Sequence, residues 1–352
     1  MPFRVTLSPS GHTFEVPEGR TVLVAGLAAG RLLPYSCRAG ICRTCRGRVL
    51  EGEVDYGDAR LHFLPADQRA AGFALLCQAR LRSDVLVEVN ELSPLDSKPR
   101  IVPCRVRRID RPAPDVAVLH LKLPLHENLQ FVPGQYVDLL LEGGEQRSYS
   151  IASPPTAEGV LEIQIHVRHS PGGLFTDQVF STLKEREMLR FEGPLGTFFL
   201  RQESSKPVLL VASGTGFGPM KAILERAFRE QLDERRSMTF YWGCRTRRDL
   251  YMLDLPERWA RERPHFRFVP VLSEPLPADG WRGRTGFVHR AVIEDFPDLS
   301  GHQVYACGAP VMVDAARADL VARCGLPADE FFADSFITEL ERNAARQAAV
   351  SQ

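Results

Sequence analysis

The sequence predicts a multidomain chain that combines the α+β and α/β classes. We expect a small mixed domain over residues 1–92, an antiparallel six-stranded β-barrel over 100–202 and a doubly wound parallel sheet over 205–337. Short alternating strands separated by Gly-rich turns dominate the second segment, which is typical of a closed barrel. In the third segment apolar strands alternate with helical periodicity, which indicates a parallel sheet.

Length, composition and charge limit the classes of function. A chain of 352 residues has room for two or three domains. Lys and Arg number 44, as do Asp and Glu, so no net field attracts nucleic acid or acidic lipid. We find no basic segment followed by an apolar core at the N-terminus, and no apolar run long enough to cross a bilayer. We therefore expect a cytoplasmic protein that binds neither nucleic acid nor membrane.

The first segment begins with two alternating runs, 3–7 and 12–16, joined by a Pro- and Gly-containing turn, and these predict a hairpin. Thr21 is placed to cap a short helix that Gly30 ends. Residues 92–100 hold two prolines and little apolar material, so we interpret them as a linker.

Four of the eight cysteines lie in the first quarter of the chain, at C-x4-C-x2-C and then a distant fourth position: Cys37, Cys42, Cys45 and Cys77. This spacing is that of plant-type [2Fe–2S] proteins. Two bridged irons need four thiolates, and a tight loop with small residues lets backbone N–H groups approach the sulfurs. A disulfide framework does not suit a long chain without an export signal. A four-cysteine zinc site or four unrelated thiols are the alternatives, although zinc sites usually contain two C-x2-C pairs.

The run 35–45, YSCRAGICRTC, together with Leu76-Cys77, resembles the plant-type ferredoxin family over about the first 90 residues. The resemblance implies a β-grasp domain whose four cysteines hold a [2Fe–2S] cluster.

Two motifs in the second segment suit a flavin. Arg147, Tyr149 and Ser150 can supply a cation for a pyrophosphate, an aromatic surface for the isoalloxazine and a donor near its N5 atom. Gly172, Gly173 and the hydroxyl of Thr176 can offer hydrogen bonds to a phosphate at a helix start. Each motif alone also fits a plain surface feature, an exposed Arg beside a half-buried Tyr or a simple hairpin turn.

Two strand-to-helix crossings in the third segment suit a nicotinamide nucleotide. Gly214, Thr215 and Gly216 form a Gly-rich turn that is not the full G-x-G-x-x-G fingerprint, but whose bare backbone opens a helix. Cys307 and Gly308 form the second crossing, although a lone Cys is most simply a small buried residue. Arginines at 245, 247 and 248 either hold a 2′-phosphate or form a solvated loop, which leaves NADH and NADPH equally favoured.

In this order the motifs resemble the ferredoxin–NADP⁺ reductase-like flavoproteins. That resemblance implies that His166 and Val167 line the flavin, that Phe336 lies near it, and that Ser150 and Cys307 are the catalytic residues beside the reacting rings. It implies FAD more often than FMN, and NAD(P)H as the hydride donor.

The domain order resembles the reductase components of multicomponent bacterial oxygenases, in detail the terephthalate dioxygenase reductase type. It implies a terminal oxygenase component as the protein partner, of the Rieske-type aromatic-ring dioxygenase or demethylase class. CDP-6-deoxyglucoseen reductase has the same layout and is the alternative, with a sugar dehydrase as partner. A hypothesis of another class is a β-grasp binding module joined to a scaffold without cofactors.

Overall fold

The computed structural model describes residues 2–93, 98–156 and 160–336. The described residues form two compact units, residues 2–93 and residues 98–336 without 157–159. The predicted linker therefore lies partly outside the described residues. Each unit is considered by itself below.

The first unit is built on a mixed five-stranded sheet of order β2-β1-β7-β3-β5, in which the parallel pair β1–β7 lies beside the antiparallel pair β1–β2. A small two-stranded sheet pairs β4 with β6. The elements are β1 (Phe3–Ser8), β2 (Thr13–Val16), α1 (Val22–Ala28), β3 (Arg46–Glu51), β4 (Val54–Asp55), α2 (Ala66–Ala70), β5 (Phe73–Leu75), β6 (Arg80–Leu81) and β7 (Val85–Glu88).

Local sequence explains the start of this unit. Val5 and Leu7 alternate with polar residues and are fully buried, so one face of β1 forms the core. The Thr21 side chain accepts a hydrogen bond from Val24 N (3.4 Å), which caps α1 as predicted. Gly30 follows the helix with φ 76°, a conformation that favours glycine.

The second unit opens with a six-stranded antiparallel sheet of order β11-β10-β13-β8-β9-β12. A bridge between Ile151 and Ile165 joins its two edges, so the sheet closes into a barrel. Helix α3 follows the last edge strand. The elements are β8 (Arg100–Ala113), β9 (Val116–Lys122), β10 (Tyr136–Leu140), β11 (Gln146–Ser150), β12 (Glu162–Arg168), α3 (Leu174–Ser181) and β13 (Met188–Leu195).

A parallel six-stranded sheet of order β17-β16-β15-β14-β18-β19 completes the unit, with helices in its crossovers. Its strand order reverses between β14 and β18, and ligands bind at such switch points in open α/β sheets. The elements are β14 (Val208–Ser213), α4 (Phe217–Arg229), β15 (Met238–Cys244), α5 (Asp254–Glu262), β16 (Phe266–Leu272), β17 (Arg284–Thr285), α6 (Val288–Asp295), β18 (Gln303–Gly308), α7 (Pro310–Cys324) and β19 (Phe331–Ser335).

The barrel and the parallel sheet share one hydrophobic core. Val116 and Phe198 pack in the same buried cluster as Phe217, Trp242 and Tyr305 of the sheet side. The predicted fold class is confirmed, and the shared core fixes the ends of β11 and β12 against the ends of β14 and β18. No helix among the described residues is both long and apolar enough to cross a membrane.

Candidate functional site

The four clustered thiols lie in two pairs. The hydrogen bond between Cys37 and Cys42, together with burial, raises the pKa of Cys37 well above its usual value. The same hydrogen bond lowers the pKa of Cys42 against the opposing effect of burial. Cys45 is paired with Cys77 in the same way, and the pKa of Cys45 is raised while that of Cys77 is lowered. Two irons bridged by sulfide each need two thiolates, and the folded chain presents its thiols in that grouping.

Backbone and amide donors surround these sulfurs. The N–H groups of Ala39 and Cys42 each lie 3.4 Å from the Cys37 sulfur, and the Gln78 side chain donates to the Cys77 sulfur (3.6 Å). Arg38 and Arg43 adopt left-handed φ values of 52° and 61°, which bend the loop tightly. Donors aimed at sulfur stabilise bound thiolates and tune an anionic cluster.

The donor set therefore fits a [2Fe–2S] cluster. Within residues 2–93, 98–156 and 160–336 no three or more His, Cys, Asp or Glu side chains converge on a position for a single metal ion. Four ligands shared between two irons are not expected to surround one point. The arrangement of the thiols in two pairs is therefore the observation that matches a [2Fe–2S] cluster.

Strand β11 presents the predicted flavin motif. The Arg147 guanidinium donates to the Glu145 carboxylate (2.9 Å) and to the Gln146 carbonyl (2.9 Å), and only 14% of its side chain is exposed. The Tyr149 ring lies 5.5 Å from the Phe175 ring of α3. The strand and the start of the helix therefore present a cation and an aromatic surface side by side.

The Gly172–Thr176 turn is internally bonded. The Thr176 hydroxyl donates to the Ser170 carbonyl (2.8 Å), and the Gly172 N–H donates to the Asp177 carboxylate (3.1 Å). The Thr176 hydroxyl and the Gly172 N–H, which were expected to face a phosphate, thus form hydrogen bonds within the turn. The first-turn amides of α3 have no intrahelical acceptor and are the donors that the turn presents outward.

Ser150 and Cys307 come together at one carboxylate. The Ser150 hydroxyl donates to Asp334 Oδ2 (3.3 Å), and the Cys307 sulfur lies 4.0 Å from the same oxygen. All three residues are buried. Burial, with a further contribution from Asp334, raises the pKa of Cys307 well above its ordinary value, so the thiol is neutral at physiological pH.

Asp334 was not among the predicted site residues. Its sequence context, FFADSF, contains aromatic residues that equally indicate core packing. Only the parallel pairing of β19 with β18, which sets Cys307 opposite Asp334, brings the carboxylate to the site.

The two strand-to-helix crossings interlock through glycine. A Cβ added at Gly216 would lie 2.3 Å from the Cys307 carbonyl oxygen, and one at Gly308 would lie 2.3 Å from the Ser213 hydroxyl. Gly308 also has φ 133°, which L side chains rarely adopt. The predicted turns at 214–216 and 307–308 are therefore in direct contact.

Phe336 extends this contact. Its N–H donates to the Gly308 carbonyl (2.8 Å), and its half-buried ring packs against the shared core. The end of the described chain is thereby attached to the second crossing.

Strand β12 carries the Arg168 side chain into this region. The Arg168 guanidinium approaches the position that a Cβ of Gly214 would take (3.5 Å), and its Nε lies 3.4 Å from the Asp115 carboxylate. Buried Nε and Nη2 atoms of Arg168 have no hydrogen-bond partner in the described structure. A half-buried cation beside a bare glycine turn fits a dinucleotide phosphate.

The two β12 residues predicted to line the flavin, His166 and Val167, are enclosed. His166 Nδ1 lies 2.7 Å from the Tyr251 hydroxyl, and its ring lies 6.2 Å from that of Phe217. Its buried Nε2 has no hydrogen-bond partner within the described residues. Val167 is fully buried in the barrel core. The structure thus places His166 between the barrel and the parallel sheet.

Comparison with known families matches each segment. Residues 5–82 match a 2Fe-2S iron-sulfur cluster binding domain, 103–200 an oxidoreductase FAD-binding domain, and 210–318 an oxidoreductase NAD-binding domain.

Similar proteins match almost end to end. The chain is 39% identical over 340 residues to CDP-6-deoxy-L-threo-D-glycero-4-hexulose-3-dehydrase reductase of Yersinia pseudotuberculosis, covering 96% of this chain and 99% of the relative. It is 34% identical to terephthalate 1,2-dioxygenase reductase component 2 of Comamonas, covering 96% and 98%. The crystal structure of Amycolatopsis cytochrome P450 reductase GcoB is similar at a TM-score of 0.74 and 35% identity, covering 95% and 98%.

The fold and the sites define an iron–sulfur flavoprotein reductase, with a cluster domain, a flavin barrel and a nucleotide-binding sheet. The chain belongs to the ferredoxin–NAD(P)H reductase family whose members carry an N-terminal plant-type ferredoxin domain. It is an NAD(P)H-dependent oxidoreductase that uses FAD and a [2Fe–2S] cluster for electron transfer.

Proposed function

We propose that this chain delivers electrons from NAD(P)H, through FAD and the [2Fe–2S] cluster, to the terminal component of a multicomponent oxygenase. The acceptor we favour is a Rieske-type aromatic-ring dioxygenase or demethylase in the cytoplasm. Support comes from relatives named as a terephthalate dioxygenase reductase component and as an aromatic O-demethylase reductase subunit, the latter 39% identical over 316 residues. We assign the cluster to residues 1–92, FAD to 100–202 and the nucleotide to 205–337.

One observation carries this proposal: Ser150 and Cys307 both contact the Asp334 carboxylate. The same chain also holds four thiols in two hydrogen-bonded pairs. When bound, FAD accepts the electron pair of a hydride and passes electrons on singly, as a one-electron cluster requires.

The residues around that site position the reaction and exclude water. The Ser150 hydroxyl is a donor held in place by Asp334, and that carboxylate can hold a proton at Oδ2. Cys307 is a neutral, polarisable thiol that would pack against a bound nicotinamide ring without attacking it. Arg147 and Arg168 supply positive charge for the phosphates of the two nucleotides.

A cluster-ligand variant tests the electron order. We expect Cys42→Ser to keep NAD(P)H-driven reduction of FAD but to lose cytochrome c reduction, because the cluster lies between flavin and acceptor. The matched control is Cys104→Ser, since Cys104 is a buried thiol of the barrel core and not a cluster ligand. Cytochrome c reduction that survives unchanged in Cys42→Ser contradicts the proposed order.

A second candidate function is favoured by one specific observation. The relative named as a CDP-6-deoxy-hexulose-3-dehydrase reductase is matched over 99% of its length at 39% identity. Purified chain should be combined separately with a Rieske oxygenase and its aromatic substrate, and with a sugar dehydrase and its substrate. Substrate-dependent NAD(P)H consumption coupled to product in only one mixture assigns the acceptor class.

A further inference from the structure

The surface beside the cluster loop is unusually rich in arginine. We define the arginine belt as Arg43, Arg46, Arg48, Arg60 and Arg69. Arg43 stands between two predicted ligands, Cys42 and Cys45, and Arg46 directly follows the second. The belt thus begins at the cluster loop itself and continues into the segment that packs against it.

Neutral groups hold these guanidinium groups in place. Arg43 donates to the His62 carbonyl (3.1 Å), and Arg48 donates to the Ala71 carbonyl (3.2 Å). Arg46 lies over the Phe73 ring (4.7 Å) and donates to the amide oxygen of the Gln68 side chain (3.5 Å).

Arg69 is held in the same manner, by the carbonyls of Leu64 and Ala59 and by the ring of Tyr56. These bonds fix the positions of the cations but do not cancel their charge.

Carboxylates do not neutralise the belt. Within residues 2–93 none of its five members forms an ion pair within 4.0 Å, and a buried nitrogen of Arg60 has no hydrogen-bond partner. The acids between Arg43 and Arg69 are Glu51, Glu53, Asp55, Asp58 and Asp67, of which Asp55 pairs with Arg82. Glu88 lies opposite Arg48 in the β3–β7 ladder. Residues 37–50, which hold three of the four cluster cysteines, contain four arginines and no acid, so the positive charge is concentrated at the cluster loop, although the chain as a whole has no net charge.

An exposed apolar side chain lies within this positive face. Leu61 is 58% exposed and stands between Arg60 and the exposed His62. The Arg43–His62 bond places this stretch beside the cluster loop. An apolar centre with a charged rim is the usual arrangement of a protein–protein interface.

We propose that the arginine belt is the docking surface for the protein that accepts electrons from the cluster, and that this acceptor presents an acidic surface to it. The inference rests on the proposed function, since it needs a cluster that passes electrons outward. Fixed cations without counter-charges steer an acidic partner and repel a basic one. The belt lies where the cluster ligands lie, so the docked acceptor is brought close to the cluster.

Two forms of one acceptor test the charge preference. Native cytochrome c is basic, and partial succinylation gives the same haem protein an acidic surface. At low ionic strength we expect the succinylated form to be reduced about tenfold faster than the native form. Salt should narrow that difference, because exposed charges are screened beyond about 10 Å at 0.1 M.

Charge reversal then assigns the preference to the belt. The double variant Arg48→Glu/Arg60→Glu should reverse the order of the two cytochromes. The control Arg4→Glu/Arg20→Glu changes the charge of the same unit equally, at exposed residues outside the belt, and should leave the order as it is. If the Glu variant loses cluster absorbance, Arg48→Gln/Arg60→Gln replaces it. That variant should change the ratio of the two reduction rates in the same direction, but by less.

Two results would overturn the proposal. One is that the belt variants reduce both cytochromes at the wild-type rates and with the wild-type salt dependence. The other is a slower transfer from flavin to cluster in stopped-flow experiments without any acceptor, which would mean that the belt docks the chain's own flavin domain. Failure of the proposed electron order is distinguishable, because cytochrome c reduction would then survive in Cys42→Ser.

Discussion

The Ser150 hydroxyl donates a hydrogen bond to Asp334 Oδ2 across 3.3 Å, although the two residues are 184 positions apart in the chain. Ser150 ends β11 of the barrel, and Asp334 lies in β19 at the edge of the parallel sheet. The Cys307 sulfur lies 4.0 Å from the same oxygen, so the strand-to-helix turn at 307–308 takes part in this contact as well. The site is therefore complete only when barrel and sheet are packed together.

Removing the charge at Asp334 should slow hydride transfer. Asp334→Asn keeps the size of the side chain but leaves a neutral amide beside Ser150 and Cys307. We expect flavin reduction by NAD(P)H, measured by stopped-flow absorbance, to fall about 100-fold. Asp329→Asn, at an exposed acid of the same segment, is the control. An Asp334→Asn rate equal to that of wild type would show that the carboxylate does not serve the reaction.

Ser150 and Asp334 should act as a unit. Because they share one hydrogen bond, Ser150→Ala and Asp334→Asn together should cost less in the rate of flavin reduction than the sum of their separate costs. A double-mutant cycle on that rate measures the difference. Strictly additive costs would mean that the bond seen in the structure has no role in hydride transfer.

Gly216 should tolerate no side chain. A Cβ there would lie 2.3 Å from the Cys307 carbonyl oxygen, so Gly216→Ala must push the two crossings apart. We expect a loss of roughly 1–3 kcal/mol in the free energy of unfolding and weaker NAD(P)H binding. Gly301→Ala is a matched control, because nothing lies within 4 Å of its Cβ position. Equal melting temperatures for the two variants would contradict the close contact between Gly216 and the Cys307 carbonyl.

His166 should make the second unit sensitive to acid. Burial, with a smaller contribution from Lys221, lowers the pKa of His166 to about 3. The unfolded chain binds this proton near pH 6.5 and the folded chain does not, so stability falls as pH drops from about 6.5 toward 3. The slope is about 1.4 kcal/mol per pH unit.

The variant His166→Gln isolates this contribution. Between pH 7 and 5 its free energy of unfolding should change by about 2 kcal/mol less than that of wild type. His126→Gln is the control, because 82% of the His126 side chain is exposed. Unfolding should be followed in urea at both pH values, and an unchanged pH dependence in His166→Gln would contradict the assignment.

Local patterns were enough to predict much of this molecule. Alternation in residues 3–7 and the cap at Thr21 predicted β1 and α1, since both depend on neighbours in sequence. The cysteine spacing predicted the cluster loop for the same reason. Asp334 could not be predicted, because its role depends on the pairing of β19 with β18. The internal bonding of Thr176 was hidden as well, because a hydroxyl that can reach a phosphate can equally reach a carbonyl.

Metal and sulfide analysis of the purified protein tests the central claim most directly. The paired thiols predict about two iron atoms and two acid-labile sulfides per chain, and a charge-transfer absorption that NAD(P)H bleaches together with the flavin bands. Protein that contains neither iron nor sulfide after anaerobic reconstitution would contradict the account.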